Sequence, residues 1–509
     1  MNKEKIYKKF NYMFIIWIII LAIGLVRKTL QNDTFYTIKI GELILNNGID
    51  MMDHFSFHTG LAYTYPHWLY DVFIYLIYHS FGYTGLYISS IVLLIVLILI
   101  VYRTNKKITS SYLISAFGTF LCALSISGFV TARAQLVSFI LFALEIYFIE
   151  SFLRNGKKRN LIGLLLVSLF LCNVHVAVWP FYYILYLPYL AEYLVALICQ
   201  KVKLKKENKF VNFLKKKIVI EKNENVKYLF LTMILSLLTG LLTPIGDTPY
   251  TYLIKMMMGN SQKYVQEHQM LRWIDSPFTI IIAFETIFLA FFSKAKLRDL
   301  FMISGLVIMA VFSIRHISLL SLIGTICFTR IFSMFWSNFG FDIDKKVISF
   351  FNKMTVMIIA FFLVIIFTCL MIRVHLNEEY VDHKLYPIEA VKYIKENMNI
   401  DEMRLFNDYN FGSYLLLNNI PVYIDSRADL YTKPFSGLDY DIFDDYEYIM
   451  GNYTEKFEFY KITDILIYKN NNHFCDILKN DGNYKIIYED ENFCLFKKLA
   501  NISYSIKIS

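Results

Sequence analysis

The sequence predicts an α-helical polytopic membrane protein with a small α/β domain at its C-terminal end. Three observations predict it. Apolar residues make up 56% of the 509 and charged residues 18%, against roughly 45–50% and 25% in soluble domains. Apolar runs close to the ~20 residues that cross a bilayer recur through the first three quarters of the chain. After Ile372 the composition turns abruptly to Asp, Asn, Tyr and Lys with short apolar runs, the mark of a separate water-facing unit.

Read in order, the apolar runs place spans at 12–26, 84–101, 110–126, 136–152, 161–176, 179–198, 228–242, 278–292, 301–313, 317–335 and 356–372, about eleven in all. The first is led by Lys3, Lys5, Lys8 and Lys9, like the basic and apolar parts of a signal peptide. It lacks a convincing small-residue cleavage site and further spans follow, so an uncleaved anchor is expected. The net charge of +9 could suggest nucleic acid, but the lysines cluster between apolar runs, most densely from Lys201 to Lys227, with few aromatics to stack on bases. No nucleic-acid partner is expected; the positive-inside rule accounts for the pattern. With a cytoplasmic N-terminus, basic loops at 103–107, 154–159, 201–227, 294–298 and 345–353 fall inside. An odd number of spans then places the C-terminal domain outside a plasma membrane.

The chain thus divides into a transmembrane domain, 1–372, with an external loop at 27–69, and an extracytoplasmic domain, 373–509. In the latter, "YPIEAVKYIKENM" has Pro387 at a helical first turn and an apolar stripe at Ile388, Val391 and Ile394. "RLFND", "PVYID", "DILIYK" and "YKIIYED" read as short strands. Five cysteines sit in apolar runs as small core residues, while Cys475 and Cys494 stand in the outer domain, with pairing left open by sequence alone.

With this topology, the polar residues hardest to explain by packing share the external side: Asp33, Asp53, His67, Asp71, Arg133, His175, Asp247, Lys255, Glu267, His268, Arg272, Arg315 and His316. Ionisable groups near a bilayer are costly and face cavities. Each also has a plainer reading. Asp33 fits a cap on an interfacial helix that Gly48 ends, and Asp53 fits a turn. His67 and Trp68 fit an interfacial anchor, Arg133, Arg315 and His316 fit snorkelling span ends, and Glu267 and His268 fit an ordinary loop pair. No "HExxH", paired "CxxC", "GxSxG" or phosphate-cradling glycine loop occurs. What remains is carboxylate chemistry beside cations suited to phosphate, which fits group transfer from a phosphorylated lipid.

The order of "NDTFYTIKIGELILNNG", "DHFSFHTG", "PHWLYDVF", "TARAQLVSF", "NVHVAVWPF", "LLTPIGDTPYTYL", "QEHQ" and "IRHISLLSL", followed by "NDYNFGSYLLLNNIPVYIDSRADLY", resembles bacterial polytopic glycosyltransferases of the GT-C superfamily across nearly the whole chain. Three positions depart from the pattern: Thr37 where such proteins tend to have histidine, "PHWL" for "HEWL", and "RAQ" for "RPQ". The resemblance implies inverting transfer of a sugar from a polyprenyl-phosphate carrier to a glycan, lipid or protein acceptor at the outer face. It implies an acid of the first external loop as base, here Asp33, with Asp53 next. Arg133, Arg315 and His316, then Lys255 and Arg272, are the candidates for the donor phosphate. His67, Trp68, His175, Glu267 and His268 are the candidates for lining the substrate. No cofactor is certain, and a divalent metal held by Asp33 and Asp53 stays open. The alternatives are an oligosaccharide polymerase or ligase, which would favour a large late loop, and a transporter or non-catalytic scaffold. A transporter would show internal repeats and Pro- or Gly-broken spans, which are not evident here.

Overall fold

The computed structural model describes residues 3–109, 111–201, 217–259, 269–272, 276–337, 343–469 and 473–499. Glu267 and His268 lie outside the described residues. Every apolar run read from the sequence is helical. In chain order the helices are α1 (Lys3–Ile23), α2 (Asn32–Asn47), α3 (Trp68–Thr109), α4 (Tyr112–Ile126), α5 (Ala134–Asn155), α6 (Arg159–Val174) and α7 (Trp179–Lys201). They continue with α8 (Val226–Ser236), α9 (Thr248–Met258), α10 (Pro277–Phe292), α11 (Leu297–Phe312), α12 (Thr325–Ser337), α13 (Ile343–Phe351) and α14 (Met354–Leu376). Among the described residues, six helical segments are long and apolar enough to cross a membrane: Trp68–Thr109, Tyr112–Phe129, Ala134–Asn155, Val176–Gln200, Ile314–Ser337 and Met354–Leu376. Other apolar helices, such as Arg159–Val174 and Pro277–Phe292, are shorter. The chain is a multi-pass membrane protein. Helix α14 exposes nearly all of its apolar side chains, burying only Thr368, which suits a lipid-facing rim. Helix α5 lies at the centre, with apolar residues such as Leu136, Phe139 and Ile146 all buried.

The basic segment 294–298 meets α5 and α7 at one end of the bundle, where Arg298 stands beside Glu150 and Glu192 and Lys296 pairs with Glu221. There, a network that the sequence reading did not foresee joins four helices. Arg298 pairs with Glu192 at 2.9 Å and Arg330 with Asp299 at 2.8 Å, while Arg330 also reaches Glu150, to which Tyr189 donates. All these charges are buried, and each has an opposite charge beside it, which is the condition for tolerating them.

At the other end, the loop after α2 and the C-terminal domain share one hydrophobic core, in which Phe35, Tyr63 and Tyr65 pack with Phe406, Tyr423 and Tyr431. The domain contains α15 (Ile388–Asn397), β1 (Leu405–Asn407), β2 (Asp464–Tyr468), β3 (Tyr484–Glu489) and β4 (Phe493–Lys498). Its sheet runs β1-β2-β4-β3, with β1 and β2 parallel and the other pairs antiparallel. The expected strand at "PVYID" is only a bridge: Val422 pairs parallel to Leu405 on one side and to Ser56 of the α2–α3 loop on the other. That loop therefore covers the edge of the sheet, where unpaired backbone groups would otherwise stand. Strand β4 was missed from sequence. Cys475 and Cys494 are buried thiols with their Sγ atoms 3.4 Å apart.

Helix α2 ends at Gly48, whose φ of +83° favours glycine. Midway along it, Gly41 lets the helix lie directly on α3: a Cβ there would stand 2.1 Å from the carbonyl oxygen of Asp71. Because the obstacle is backbone, Gly41→Ala must push the helices apart, at a cost of about 1–3 kcal/mol. A melting temperature unchanged by this substitution would show that α2 can shift freely.

Candidate active site

Asp33 lies in the first turn of α2, where Gln31 rather than Asp33 is the cap. A carboxylate is favoured there by the unpaired N–H groups and the helix dipole. Arg133 stands at the start of α5, in extended backbone just before the helix. The two side chains form an ion pair while each remains about a quarter exposed, at 24% and 25%. Gln31 accepts from Arg133 Nη1 at 3.2 Å and so steadies the guanidinium.

This pair opens onto a cavity of about 600 Å³, within the range of small-ligand sites. Tyr36, His67 and His175 line it beside Asp33 and Arg133, and Arg315 and His316 line it from the turn that precedes the last part of the Ile314–Ser337 span. Tyr409, Asn410, Arg427 and Asp429 close it from the C-terminal domain. His67 bonds Tyr36 Oη through Nε2 at 3.3 Å and Asp71 through Nδ1 at 3.2 Å. His175 Nδ1 is 2.9 Å from Ser138 Oγ, and the His316 ring stands edge-on to Phe181. Tyr252, from α9, donates to Asp429 at 2.5 Å and so ties the membrane part to the far wall.

Other candidates from the sequence lie elsewhere. Trp68 donates through its indole nitrogen to Asn173 at 3.0 Å and does not line the cavity. Lys255 stands 6.0 Å from the Phe435 ring, and Arg272 is exposed in a segment that bonds Val311. Neither lines the cavity. Asp53 does not neighbour Asp33 at the cavity. Its wholly buried carboxylate accepts from Arg427 Nη1 at 2.6 Å and from the Ser56 backbone and hydroxyl at 2.9 and 2.6 Å. Arg427 is in turn held by Asp425 through two bonds, at 2.9 and 2.7 Å, and Tyr431 donates to the same acid. Burial pushes the Asp53 carboxyl up, but the Arg427 guanidinium and the Ser56 donors outweigh it and hold it below the usual carboxylate range. Asp425, Arg427 and Asp53 thus form a trio that reaches across to the first loop. Nearby, His58 bonds the carbonyl of Tyr423 at 2.8 Å, and burial pushes it down to about 4.

Neither Tyr36 nor Asp429 is among the polar residues gathered on the external side, whereas Asp71 is. Tyr36 was findable, since it lies one helical turn from Asp33 and shares its face. Asp429 had no comparable signal. Among the described residues, no group of three His, Cys, Asp or Glu side chains stands together as a metal site.

No family model matches the chain, and no curated protein matches its sequence. Solved structures do match. The archaeal oligosaccharyltransferase AglB of Archaeoglobus fulgidus, in complex with an inhibitory peptide and a dolichol-phosphate, aligns over 91% of this chain and 69% of its own at 9% identity, with a TM-score of 0.54. The Archaeoglobus fulgidus oligosaccharyltransferase tethered to an acceptor peptide with an NVT sequon aligns over 90% and 69% at 10% identity, with a TM-score of 0.57. The same enzyme in complex with Zn and sulfate gives 89% and 68%, 12% and 0.53. The chain has the fold of these oligosaccharyltransferases. The likeness covers the helical part and the C-terminal domain together, so it bears out the architecture implied by the sequence motifs. At these identities it is a likeness of fold, and the chemistry rests on the cavity's own residues.

Proposed function

We propose that this GT-C protein transfers a sugar from a polyprenyl-phosphate carrier to an acceptor hydroxyl, with inversion, at the membrane face that carries the C-terminal domain. The observation that carries the reading is the Asp33–Arg133 pair facing a cavity with Arg315 and His316 on its membrane wall. The resemblance of the motifs to GT-C enzymes and the dolichol-phosphate bound by a protein of the same fold support it.

In the proposed step, Asp33 accepts the acceptor's proton while the acceptor oxygen attacks the anomeric carbon. The bond from that carbon to the phosphate oxygen breaks on the opposite face, and its electron pair leaves with the lipid phosphate. Arg133 orients the Asp33 carboxylate. Arg315 and His316 offset the charge that develops on the phosphate, a service worth more in a site shielded from water than in bulk. Lys255 and Arg272 do not line the cavity and take no part in this step. Asp53 serves by fixing Arg427 in the cavity wall. The described residues do not assemble a metal-binding set, and no step is routed through a metal.

Farnesyl phosphate, a short isoprenyl monophosphate, tests the phosphate site. Arg315→Ala is expected to weaken its binding by tenfold or more, and unchanged affinity removes Arg315 from the role. A second reading, transfer of a whole oligosaccharide, is favoured by the fold likeness to an oligosaccharyltransferase. Mass analysis of envelope glycans with and without the protein separates the two, since one predicts loss of a single residue and the other loss of an entire chain.

A further inference from the structure

The imidazole of His67 is held between two unlike partners. Nδ1 faces Asp71 Oδ1 and Nε2 faces the Tyr36 hydroxyl at the cavity wall. Asp71 is wholly buried, and its second oxygen, Oδ2, has no hydrogen-bond partner among the described residues. Its backbone is fixed as well, because Gly41 of α2 packs against its carbonyl. A carboxylate withdrawn from water with one neighbour requires opposite charge from that neighbour, and the histidine supplies most when both ring nitrogens carry protons. The titratable groups facing the imidazole are Asp71 from the first turn of α3, which His67 precedes, Tyr36 from α2, and His175 from the turn between α6 and α7, with the His67 and His175 ring centroids 5.6 Å apart.

The proposed transfer has a need that Asp33 does not meet. A sugar joined to a lipid phosphate is a phosphodiester with one negative charge. Cleavage at the anomeric carbon leaves a monoester that would carry two. The second proton of such a phosphate has a pKa of about 6, and an imidazolium is a side chain able to supply it. The guanidinium of Arg315 can offset charge but has no proton to give at neutral pH.

We infer that His67, positioned by Asp71, is the proton donor to the departing phosphate. As the bond to the anomeric carbon breaks, its electron pair goes to the phosphate oxygen. The Nε2–H bond of the imidazolium breaks as well, and its proton passes to the phosphate. The products are a singly charged lipid phosphate and a neutral imidazole still bonded to Asp71. Asp33 has meanwhile gained the proton of the acceptor, so the cavity takes up one proton and gives up one. Asp71 is a positioning residue, and Tyr36 holds Nε2 until the phosphate replaces it.

The inference rests on the lipid-phosphate reading, and the experiment separates the failure of each. Protein with 15N-labelled histidines in lipid nanodiscs is titrated at pH 7 with farnesyl phosphate and, in a second arm, with inorganic phosphate. The His67 resonances are assigned with His67→Gln, or by elimination with His175→Gln should the first not fold. Farnesyl phosphate is expected to move both His67 ring nitrogens to the doubly protonated positions, and inorganic phosphate to do so only at much higher concentration. Asp71→Asn, which keeps the shape without the charge, is expected to bind farnesyl phosphate and leave His67 singly protonated. Binding of farnesyl phosphate by the wild type with the His67 nitrogens unmoved overturns this inference alone. No binding by the folded wild type overturns the lipid-phosphate reading and the inference with it.

Discussion

Asp33→Asn is expected to lower glycosyl transfer by about 10²–10⁴-fold, the usual contribution of a positioned general base, with folding nearly unchanged. Asparagine keeps the size and planarity of the carboxylate, and its oxygen can still face Arg133, so α2 should stay where Gly41 and Asp71 place it. Removal of the charge from the first turn of α2 costs a few tenths to 1 kcal/mol through the helix dipole, and both members of the ion pair are partly in water. The loss should therefore appear in turnover and barely in the melting temperature. A variant that melts like the wild type and turns over at a similar rate removes the proton-accepting role from Asp33. A variant that loses both would mean that the Asp33–Arg133 pair holds the cavity together and carries no chemistry. The clean result is loss of turnover with farnesyl phosphate binding retained, because Asp33 is assigned to the acceptor and not to the lipid.

The sequence yielded what is local. Runs of apolar residues have a length and a composition that the bilayer dictates, and all of them proved helical. Gly48 ended α2 as read, and three of the four expected strands formed because their alternation and flanking turns are local as well. What escaped was set by neighbours distant in the chain. "PVYID" has the composition of a strand, but its partner on one side is Ser56, more than 350 residues away, and on each side only one residue, Val422, pairs. Asp53 read as a turn residue, and its bonds to Ser56 show that it is one. That it also takes Arg427 could not be seen from a spacing of 374 residues. Asp71 stands in the first turn of α3, where a charged side chain is ordinarily solvated. It is buried instead because α2 lies across it, and the glycine that permits this gives no signal in a hydropathy pattern. The site was legible as a collection on one face, since topology alone gathers Asp33, Arg133, Arg315 and His316. Which of its members touch was not.

Arg427→Ala is expected to be the most destabilising single change in the C-terminal domain, at about 3–5 kcal/mol. The side chain is 3% exposed and faces two carboxylates that are both wholly buried, Asp53 and Asp425. The rings of Phe55 and Tyr63 flank its guanidinium and exclude the water that would otherwise solvate the acids left behind. Burial alone lowers the basicity of Arg427, but Asp425 and Asp53 outweigh it and raise it well above its usual value, so it is charged at any pH that the protein survives. The effect should depend on pH in a definite sense. The folded pKa of Asp53 lies below its unfolded value, so its contribution is fully present above roughly pH 4 and is lost as pH falls through the folded pKa. Asp408 acts in the opposite sense. Burial pushes it up to about 6 against the weaker pull of the Tyr468 and Tyr446 donors, so its contribution is largest below about pH 4 and declines as pH rises towards 6. The wild type should therefore lose stability steeply only below about pH 4. In Arg427→Ala the buried Asp53 no longer gains from ionisation, so the variant should be nearest to the wild type in acid and furthest from it at neutral pH. Equal melting temperatures for the two proteins at pH 7.5 would mean that the trio joining the first loop to the C-terminal domain contributes nothing. A gap that does not change with pH would mean that Asp53 is protonated in the native state. If the gap instead narrows in acid, the buried guanidinium is what holds the C-terminal wall of the cavity to the first loop.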